Sequence, residues 1–378
     1  MLSPKDFCEL LHRHGLDSYY GVPDSLLKNL CTYIDATCEA GAHIITANEG
    51  NAVGFATGHY LGSGNPAVVY MQNSGLGNVV NPLTSLADPA VYGVPMLLVI
   101  GWRGEPGVKD EPQHVKQGQV TEQQLDVLSI PYVIIDSNSD LNRCLPNLLT
   151  QMNDKHRPVA VLVRKDTFSS LVKSEAVQSE LTLDREQALK GLFPLIPPSA
   201  LIVSTTGKTS REVFEIRKMQ GRDNTDFLTV GGMGHTLSIA MGVAKVKPNR
   251  LVVALDGDGS MLMHMGSLAT AGNSGLTNLV HVVLNNACHD SVGGQPTVAG
   301  NIDIERIALG CGYGKYFTCF DDESLCTQWH NLSEYIMLSN APVLLEIKIR
   351  KGARGDLGRP TSTPTENKLA FMKHASGH

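Results

Sequence analysis

An acidic, glycine-rich segment follows a strongly apolar run, LVVAL, in the second half of the chain; it contains Asp256, Gly257, Asp258 and Gly259. The apolar run predicts a buried strand. In open α/β sheets, ligands bind beyond the carboxyl ends of the strands, and glycines there let the backbone approach a phosphate group. The carboxylate of Asp258 is a hard oxygen ligand of the kind that Mg²⁺ prefers. The segment therefore predicts a site for a phosphate group and a metal ion.

Two asparagines, Asn285 and Asn286, end the next apolar run, LVHVVL. The interval between the two segments is long enough for one helix and one strand, so the asparagines and Asp258 would lie at the same edge of neighbouring strands. Taken singly, a G-D-G is often only a turn, and an N-N often only ends a strand. Their combination at this spacing predicts shared metal ligands.

The combination resembles the signature of the thiamine diphosphate enzymes, a G-D-G followed by a helix, a strand and N-N. The resemblance implies that Asp258, the side chain of Asn286 and the backbone carbonyl of Cys288 hold Mg²⁺ against the diphosphate of the cofactor. It implies further cofactor contacts in the segments DGS, GGMG and STTGKTS, namely Gly259 and Ser260, Gly231 and Met233, and Thr206 and Gly207.

A glutamate in the first half, Glu49 of TANEGNAVGFATGHY, follows a predicted strand and opens a helix rich in small residues. The resemblance implies that Glu49 is the activating glutamate, which protonates the pyrimidine ring of thiamine diphosphate. An acid in the first helical turn is also an ordinary complement to the helix dipole. In the family, this glutamate and the metal site meet across a subunit interface, so the resemblance implies a homodimer or homotetramer with active sites at that interface.

Two further residues, Asp24 in GVPDSLL and His114 in DEPQHVKQG, occupy places like those of the acid–base aspartate and histidine of pyruvate decarboxylase-like enzymes. An aspartate just before a helix is equally typical of an N-cap, and a histidine is more often structural than catalytic. The sequence departs from the pyruvate decarboxylases because His114 has no neighbouring histidine and Val292 replaces the glutamate expected after N-N. His289 and Asp290 are the candidate replacements for that glutamate.

The resemblance narrows to the phosphonopyruvate decarboxylase family over nearly the whole length, in GVPDSLLK, QNSGLGNVVNPLTSL, GWRGEPGVKDEPQHVKQG, TTGKTSRE and NNACHDSVGGQPT. It implies decarboxylation of 3-phosphonopyruvate to phosphonoacetaldehyde and carbon dioxide, a step of phosphonate biosynthesis, with thiamine diphosphate and Mg²⁺ as cofactors. Sulfopyruvate decarboxylation is the nearest alternative. A nucleotide-binding α/β protein without decarboxylase activity is the alternative of another class, but GLGN and GGMG do not complete G-x-G-x-x-G.

An anionic 2-oxo acid needs cations or oriented N–H donors at its head group. The basic candidates are Arg103, Lys109, Lys116, Lys208, Arg354 and Arg359. The polar candidates for substrate binding are Gln72, Asn73, Ser74 and His289, although Asn and Ser after a strand also cap helices. If the segment after residue 350 covers the site, its removal is expected to raise KM strongly.

The elements that would position these residues are short β-branched runs alternating with helical patterns, which is typical of strand–helix units around a parallel sheet. The alternation restarts after VKSEAVQSELTLDREQAL. We therefore predict an α/β protein with two doubly wound parallel-sheet domains, residues 1–180 and 181–378, a linker near residues 172–190 and a loop or loose end after residue 350. The resemblance implies that these are the pyrimidine-binding and diphosphate-binding domains of the thiamine diphosphate-binding fold, without a middle domain.

The composition excludes several classes of protein. A net charge of −6 and a pI near 6.1 make nucleic acid an unexpected partner. The sequence has no apolar run as long as the roughly 18 residues of a membrane span and no secretory signal pattern, so a cytoplasmic location without a membrane partner is expected. The 8 cysteines are scattered without C-x-x-C, which predicts neither a zinc site nor a disulfide framework.

Overall fold

The computed structural model describes residues 1–170 and 180–377. The chain divides into two compact units, residues 1–175 and 176–378. The point of division lies outside the described residues. The predicted boundary between residues 180 and 181 stays a prediction. Of the predicted linker, residues 172–179 lie outside the described residues. The predicted linker extends too far towards the C-terminus, because Arg185–Leu192 is a helix whose leucines are buried.

Six parallel strands form the sheet in the described part of the first unit. Their bounds are β1 Tyr19–Gly21, β2 His43–Ile45, β3 Ala67–Gln72, β4 Met96–Gly101, β5 Tyr132–Ile135 and β6 Pro158–Val163. The spatial order is β2-β1-β3-β4-β6-β5. The helix α1 Pro4–Arg13 precedes β1, and the connections between successive strands contain α2 Lys28–Thr37, α3 Glu49–Ser63, α4 Leu76–Pro82, α5 Pro112–Val127 and α6 Leu141–Asp154.

Both faces of this first sheet are covered by helices. Along β3, Val68 and Tyr70 point into one core with α1, α2 and α6, whereas Val69 and Met71 point into a second core with α3, α4 and α5. This alternation follows from the two-residue period of a strand. Strands buried on both sides read as continuous apolar runs, which explains why PAVVYMQ and MLLVIGW were recognisable in the sequence. The predicted doubly wound architecture is confirmed.

The second unit repeats the plan. Its described strands are β7 Leu201–Ser204, β8 Phe227–Leu228, β9 Val252–Gly257, β10 Leu279–Asn285, β11 Lys315–Cys319 and β12 Val343–Lys348. They are parallel and lie in the order β11-β12-β10-β9-β7-β8. The helices are α7 Arg185–Leu192, α8 Lys208–Met219, α9 Thr236–Val246, α10 Asp258–Met263, α11 Gly266–Gly272, α12 Ile304–Gly310, α13 Asp322–Ile336 and α14 Pro364–Ser376. No middle domain separates the two described units.

The two faces of the second sheet differ in polarity. One face packs an apolar core against α7, α8 and α13. The strands also bury polar side chains, among them Asp256, His281 and Glu346. Buried polar groups require hydrogen-bonding partners in the interior, so this part of the sheet does not form a purely apolar core.

The segment MLMHMGSLATAGN has a continuous helical pattern, but its helix is interrupted. The first part, α10, ends at Met263, and α11 begins at Gly266. Between them, His264 leaves helical geometry and its ring stacks on that of His235, with 4.5 Å between the ring centroids. The GGMG turn also approaches so closely that a Cβ on Gly234 would lie 2.5 Å from the His264 ring. This tertiary packing outweighs the continuous helical pattern.

The segment after residue 350 is only partly a loop, because α14 occupies Pro364–Ser376. This helix covers β8, an edge strand. The side chain of Asn367 accepts a hydrogen bond from the Leu228 N–H at 3.0 Å and donates to the Asp226 carbonyl at 2.9 Å. It thereby satisfies backbone groups that a neighbouring strand would otherwise pair. Removal of all residues after 350 is therefore expected to destabilise the second unit, and a raised KM alone would not identify a lid.

Replacing Asn367 by alanine is expected to lower the free energy of unfolding by about 1–3 kcal/mol, because the buried backbone groups at residues 226 and 228 lose their partners. Urea denaturation followed by circular dichroism measures this change. Lys368→Ala, on the same helix, is the matched control and is expected to change stability by less than about 0.5 kcal/mol. Equal stability of the two variants would contradict the role given to Asn367.

No helix in the described parts of the chain has the length and apolar character that crossing a membrane requires.

Candidate active site

Asp258 begins α10 directly after β9, and its side chain is buried, with 3% exposed. The carboxylate accepts hydrogen bonds from the Thr297 hydroxyl at 2.5 Å and from the backbone N–H of Asn286. Burial raises the pKa of Asp258 to about 6, although these hydrogen bonds oppose the increase. A cation bound at this carboxylate would favour its ionised form. The structure thus brings Asp258 and Asn286 together.

The turn after β10 is held by its own asparagine side chains. Asn285 Oδ1 accepts from the Ala287 N–H at 3.0 Å, and Asn286 Oδ1 accepts from the Cys288 N–H at 3.1 Å. Ala287 has a φ of 51°, in the left-handed region that costs a residue with a Cβ about 1 kcal/mol or more. This unfavourable backbone conformation lies in the turn that carries two of the three predicted metal ligands, Asn286 and Cys288.

These residues fit a magnesium ion. A carboxylate, a side-chain amide and a backbone carbonyl are all hard oxygen ligands, and Asp258 and Asn286 are buried next to each other at the ends of adjacent strands.

The residues predicted to hold the diphosphate lie around the same strand ends. Ser260 is buried, and its hydroxyl accepts from the Gly234 N–H at 3.0 Å and from the Thr205 hydroxyl at 3.1 Å. A Cβ on Gly259 would lie 3.4 Å from the Met233 side chain and 3.1 Å from the His289 ring. Gly259 therefore keeps open a space between the GGMG turn and the loop after β10. Such a cradle, lined by glycine backbone at a helix start, fits a phosphate group.

The turn after β7 holds Thr206 and Gly207, whose predicted contacts with the diphosphate stay a prediction. Gly207 has a φ of 90°, which favours glycine. The Thr206 hydroxyl donates to the Val230 carbonyl at 2.7 Å, so its proton is used within the unit. The amine of Lys208 donates to the Asp290 carbonyl oxygen at 3.0 Å. Lys208 therefore fastens the loop after β10 and is not a freely available cation.

The loop after β10 is tied down through Asp290. Its carboxylate lies 3.4 Å from Arg185 and accepts from the Gly352 N–H at 3.2 Å. Beside it, burial lowers the pKa of His289 to about 4, so this ring is neutral near pH 7. Of the two candidate replacements for the missing glutamate, Asp290 is used in these contacts and His289 is the one beside Gly259.

The turn after β10, residues 285–288, is called the metal turn because it carries two of the predicted metal ligands. Two side chains that contact it or Asp258 were not found by sequence reasoning. Thr297, which contacts Asp258, ends the segment NNACHDSVGGQPT, but the resemblance assigns it no role. Glu346 on β12 is buried and accepts from Asn285 Nδ2 at 2.6 Å and from the Tyr316 hydroxyl. It thereby holds the asparagine that shapes the turn. A glutamate within the apolar run VLLEIKI was the available signal, because a buried acid requires partners.

In the first unit, Glu49 begins α3 after the N-cap Asn48 and is buried, with 5% exposed. Its Oε2 accepts from Asn78 Nδ2 at 2.7 Å. A Cβ on Gly75 would lie 2.6 Å from Glu49 Oε1. Asn78 therefore holds one carboxylate oxygen by a hydrogen bond. The other oxygen fits against residue 75 only because glycine has no side chain. Neither residue was identified from the sequence.

Replacing Gly75 by alanine is expected to displace the Glu49 carboxylate and to lower kcat on the order of 10²-fold, since catalysis is sensitive to displacements near 1 Å. Overpacking is also expected to cost about 1–3 kcal/mol of stability. Steady-state kinetics and thermal unfolding measure the two effects. Gly77→Ala is the control, because a Cβ at Gly77 meets nothing within 4 Å. A Gly75→Ala enzyme as active as Gly77→Ala would contradict this positioning.

Asp24 lies just after β1 and is fully buried. Its Oδ2 accepts from the Leu26 N–H at 2.9 Å, and its Oδ1 is buried without a hydrogen-bond partner among the described residues. The N-cap of α2 is Leu27, so Asp24 does not cap that helix. Burial raises the pKa of Asp24 to about 6. A buried carboxyl with one unpartnered oxygen is suited to exchange a proton with a ligand.

His114 lies in the first turns of α5, and its Nδ1 is 2.9 Å from Asp110 Oδ1. The same carboxylate pairs with Arg103, whose Nε donates to Asp110 Oδ2 at 2.8 Å. A further nitrogen of Arg103 donates to the Ser25 hydroxyl at 2.7 Å. The charge of Arg103 is therefore already balanced by Asp110. Sequence reasoning missed Asp110, which joins the predicted histidine to a predicted head-group cation.

The three polar residues after β3 differ in what they can offer a ligand. Asn73 is fully buried, donates to the Arg103 carbonyl at 2.8 Å and to the Thr121 hydroxyl at 2.9 Å, and accepts from the Arg103 N–H at 3.2 Å. Its side chain therefore joins the ends of two strands. Gln72 Nε2 donates to the exposed Ser74 hydroxyl at 2.7 Å, and these two side chains retain further hydrogen-bonding capacity.

Arg354 is paired within the second unit. Its guanidinium contacts Glu186 at 2.8 Å, Asp356 at 3.3 Å and Glu215. These pairs fasten the segment after β12 to α7 and α8. The substrate contact predicted for Arg354 stays a prediction, and in this conformation its charge is balanced by acids of its own unit.

Each of the two units matches a known family of binding domains. Residues 5–129 match the family model of the N-terminal thiamine pyrophosphate (thiamine diphosphate) binding domain, and residues 205–347 match that of the C-terminal binding domain. The chain is 35% identical to a phosphonopyruvate decarboxylase of Streptomyces viridochromogenes, over 97% of this chain and 93% of the relative. It is also 35% identical to a phosphonopyruvate decarboxylase of Streptomyces hygroscopicus, over 100% of this chain and 94% of the relative.

More distant proteins are also similar. A sulfopyruvate decarboxylase of Methanosarcina acetivorans is 27% identical over 80% of this chain and 81% of its own length. A solved 4-hydroxybenzoylformate decarboxylase of Rhodococcus jostii RHA1 covers 93% of this chain with a TM-score of 0.37 and 13% identity, a likeness too distant to bear on function. The full-length identity to the two Streptomyces enzymes and the two matched binding domains confirm the predicted family. The chain belongs to the phosphonopyruvate decarboxylase family of thiamine pyrophosphate enzymes.

Proposed function

We propose that the protein converts 3-phosphonopyruvate to phosphonoacetaldehyde and carbon dioxide, with thiamine diphosphate and Mg²⁺ as cofactors, as a step of phosphonate biosynthesis. The observation that carries this proposal is the 35% identity to phosphonopyruvate decarboxylases over 97% of the chain, against 27% over 80% for a sulfopyruvate decarboxylase. The geometry of each unit supports the same chemistry. Asp258 lies next to Asn286 in the second unit, and Glu49 and Asp24 are buried in the first.

Thiamine diphosphate supplies a carbon nucleophile and an electron sink that amino-acid side chains lack. In the proposed enzyme, Asp258, Asn286 and the carbonyl of Cys288 hold Mg²⁺, which neutralises part of the diphosphate charge. Gly259 leaves room for the phosphate. The carbonyl of Gly231 and the side chain of Met233 orient the pyrimidine ring.

Glu49 holds the proton at the pyrimidine ring nitrogen. Asn78 occupies Oε2 at 2.7 Å, so Oε1 is the oxygen proposed to share the proton with the ring. Asp24, with a pKa raised to about 6 by burial, and His114 are the proposed acid–base groups near the reacting carbon. Gln72, Ser74 and His289 are the proposed polar contacts of the substrate.

The proposed enzyme is a cytoplasmic homodimer or homotetramer in which each active site combines Glu49 of one copy with the metal turn of another. Mixing Glu49→Gln and Asp258→Asn subunits, each inactive alone, tests this arrangement. Reassembled dimers are expected to regain about a quarter of the wild-type activity, because half of them are mixed and each mixed dimer has one intact site. No recovery in reassembled mixtures would contradict a shared site.

The substrate is tested by supplying purified protein, thiamine diphosphate and Mg²⁺ with phosphonopyruvate, sulfopyruvate or pyruvate in parallel. Release of carbon dioxide and aldehyde is followed in each case. A strong preference in kcat/KM for phosphonopyruvate is expected. A preference for sulfopyruvate would keep the chemistry and overturn the substrate, and no turnover of any of the three would overturn the proposal.

A further inference from the structure

Asp110 is the centre of the polar cluster at the start of α5. Its two oxygens accept from five donors: Arg103 Nε at 2.8 Å, Arg103 Nη2 at 2.5 Å, the Gly104 N–H at 2.8 Å, the Glu111 N–H at 2.7 Å and His114 Nδ1 at 2.9 Å. The side chains of Asp110 and His114 are 13% and 12% exposed, and that of Arg103 is 18% exposed. This density of contacts makes Asp110 a fixed point in a mostly buried setting.

The charge state of Asp110 determines which protons its neighbours carry. Burial opposes ionisation, but the hydrogen bonds from Arg103, His114 and the two backbone N–H groups outweigh it and hold the pKa of Asp110 well below its usual range. An ionised carboxylate only accepts hydrogen bonds. The 2.9 Å contact therefore requires a proton on Nδ1 of His114. In the neutral ring, Nε2 is then the nitrogen with the free lone pair.

We infer that Asp110 is a positioning residue for proton transfer by His114: it fixes the Nδ1–H tautomer and the ring orientation, so that Nε2 is the atom that takes up and releases the proton. This inference rests on the role proposed for His114. When Nε2 takes a proton from water, the ring becomes an imidazolium whose charge Asp110 balances. When Nε2 gives that proton to the carbon that has lost carbon dioxide, the ring returns to the neutral Nδ1–H form.

Burial and two neighbouring charges determine the proton affinity of His114. Burial, the largest influence, lowers the pKa of His114; the hydrogen bond that His114 donates to Asp110 opposes this effect, and the positive charge of Arg103 adds to it. The other charged group near His114 is Glu111, and Asp24 acts on Arg103. Burial, with the added charge of Arg103, thus opposes protonation of His114, while Asp110 retains the tautomer.

The first test measures the tautomer in the wild-type protein. Nitrogen NMR of wild-type protein labelled in its histidine rings, with His114→Gln used to assign the His114 signals, reports which ring nitrogen carries the proton at neutral pH. The Nδ1–H tautomer is expected for His114. The Nε2–H tautomer would overturn the inference whatever the enzyme does.

The second test replaces Asp110 by asparagine, which has nearly the same shape but no charge. The ring signals are expected to shift towards the Nε2–H tautomer, kcat to fall by about 10²–10⁴-fold, and KM and thiamine diphosphate affinity to change little. Asp110→Glu is expected to restore part of the kcat. Asp88→Asn is the control, because Asp88 caps a turn of the same unit through the Ala90 N–H at 2.8 Å.

Variants of His114 separate this inference from the proposed function. Because the two residues act together, Asp110→Asn in a His114→Gln background is expected to lower kcat no further. An additional large loss in the double variant would overturn the inference. Full activity of His114→Gln with the Nδ1–H tautomer present in wild type would overturn the catalytic role of His114 instead. Wild-type kcat in Asp110→Asn, with an inactive His114→Gln, would overturn the positioning role alone.

Discussion

Replacing Glu49 by glutamine is expected to lower kcat by about 10²–10⁴-fold while the protein still folds and binds thiamine diphosphate. Glutamine keeps the size of the side chain, and its amide oxygen can still accept from Asn78, which now bonds Glu49 at 2.7 Å. What it loses is the acidic proton proposed to be shared with the pyrimidine ring. The expected effect is therefore confined to the chemical step.

Steady-state decarboxylation kinetics and calorimetric titration of thiamine diphosphate measure the two properties separately. Glu39→Gln is the matched control, since Glu39 is an exposed glutamate of the same unit. A Glu49→Gln enzyme that keeps more than about a tenth of the wild-type kcat would show that Glu49 serves only as a complement to the dipole of α3.

Replacing Asp258 by asparagine is expected to weaken thiamine diphosphate binding in the presence of Mg²⁺ on the order of 10²-fold or more, because even outer-shell partners of metal sites contribute 10–100-fold. Asparagine retains an oxygen for the Thr297 hydroxyl, which lies 2.5 Å from Asp258. It removes the single negative charge among the proposed ligands, and the attraction to a divalent cation falls accordingly.

Calorimetric titration of thiamine diphosphate at several magnesium concentrations tests this prediction. Asp303→Asn, at the N-cap of α12 in the same unit, is the control, because asparagine caps helices as well as aspartate. Chelation of metal from the wild-type protein is expected to mimic Asp258→Asn. Cofactor affinity that is independent of Mg²⁺ in wild type would contradict the proposed site.

Most of the strands were predictable from local pattern. Runs such as PAVVYMQ and MLLVIGW are buried on both faces, and KTSREVFEIRKM forms α8 over Lys208–Met219. The short strands β1 and β8, of 3 and 2 residues, were missed because their pairing depends on neighbours and not on composition. The helix α14 was missed although Thr363 and Glu366 form a capping box that the sequence displays.

The partners that hold the site residues were not identified from the sequence. Asn78, Asp110 and Thr297 lie within segments that carry the family resemblance, but the resemblance does not say which side chains they contact. Glu346 contacts Asn285, and this pair is 61 positions apart in the sequence. The sequence also does not show which charges are paired within the fold: Arg354 lies 2.8 Å from Glu186, and its predicted substrate contact stays a prediction.

Asn367 completes the hydrogen bonding at the edge of β8, and this has a consequence for synthesis on the ribosome. The strand is made 139 residues before the asparagine that completes its hydrogen bonding. At elongation rates of about 5–20 residues per second, the strand edge stays open for roughly 7–28 s in every nascent chain. During that interval it can pair with an extended segment of another chain. Slow translation of the last third of the message would therefore be expected to favour aggregation, and holding chaperones to oppose it.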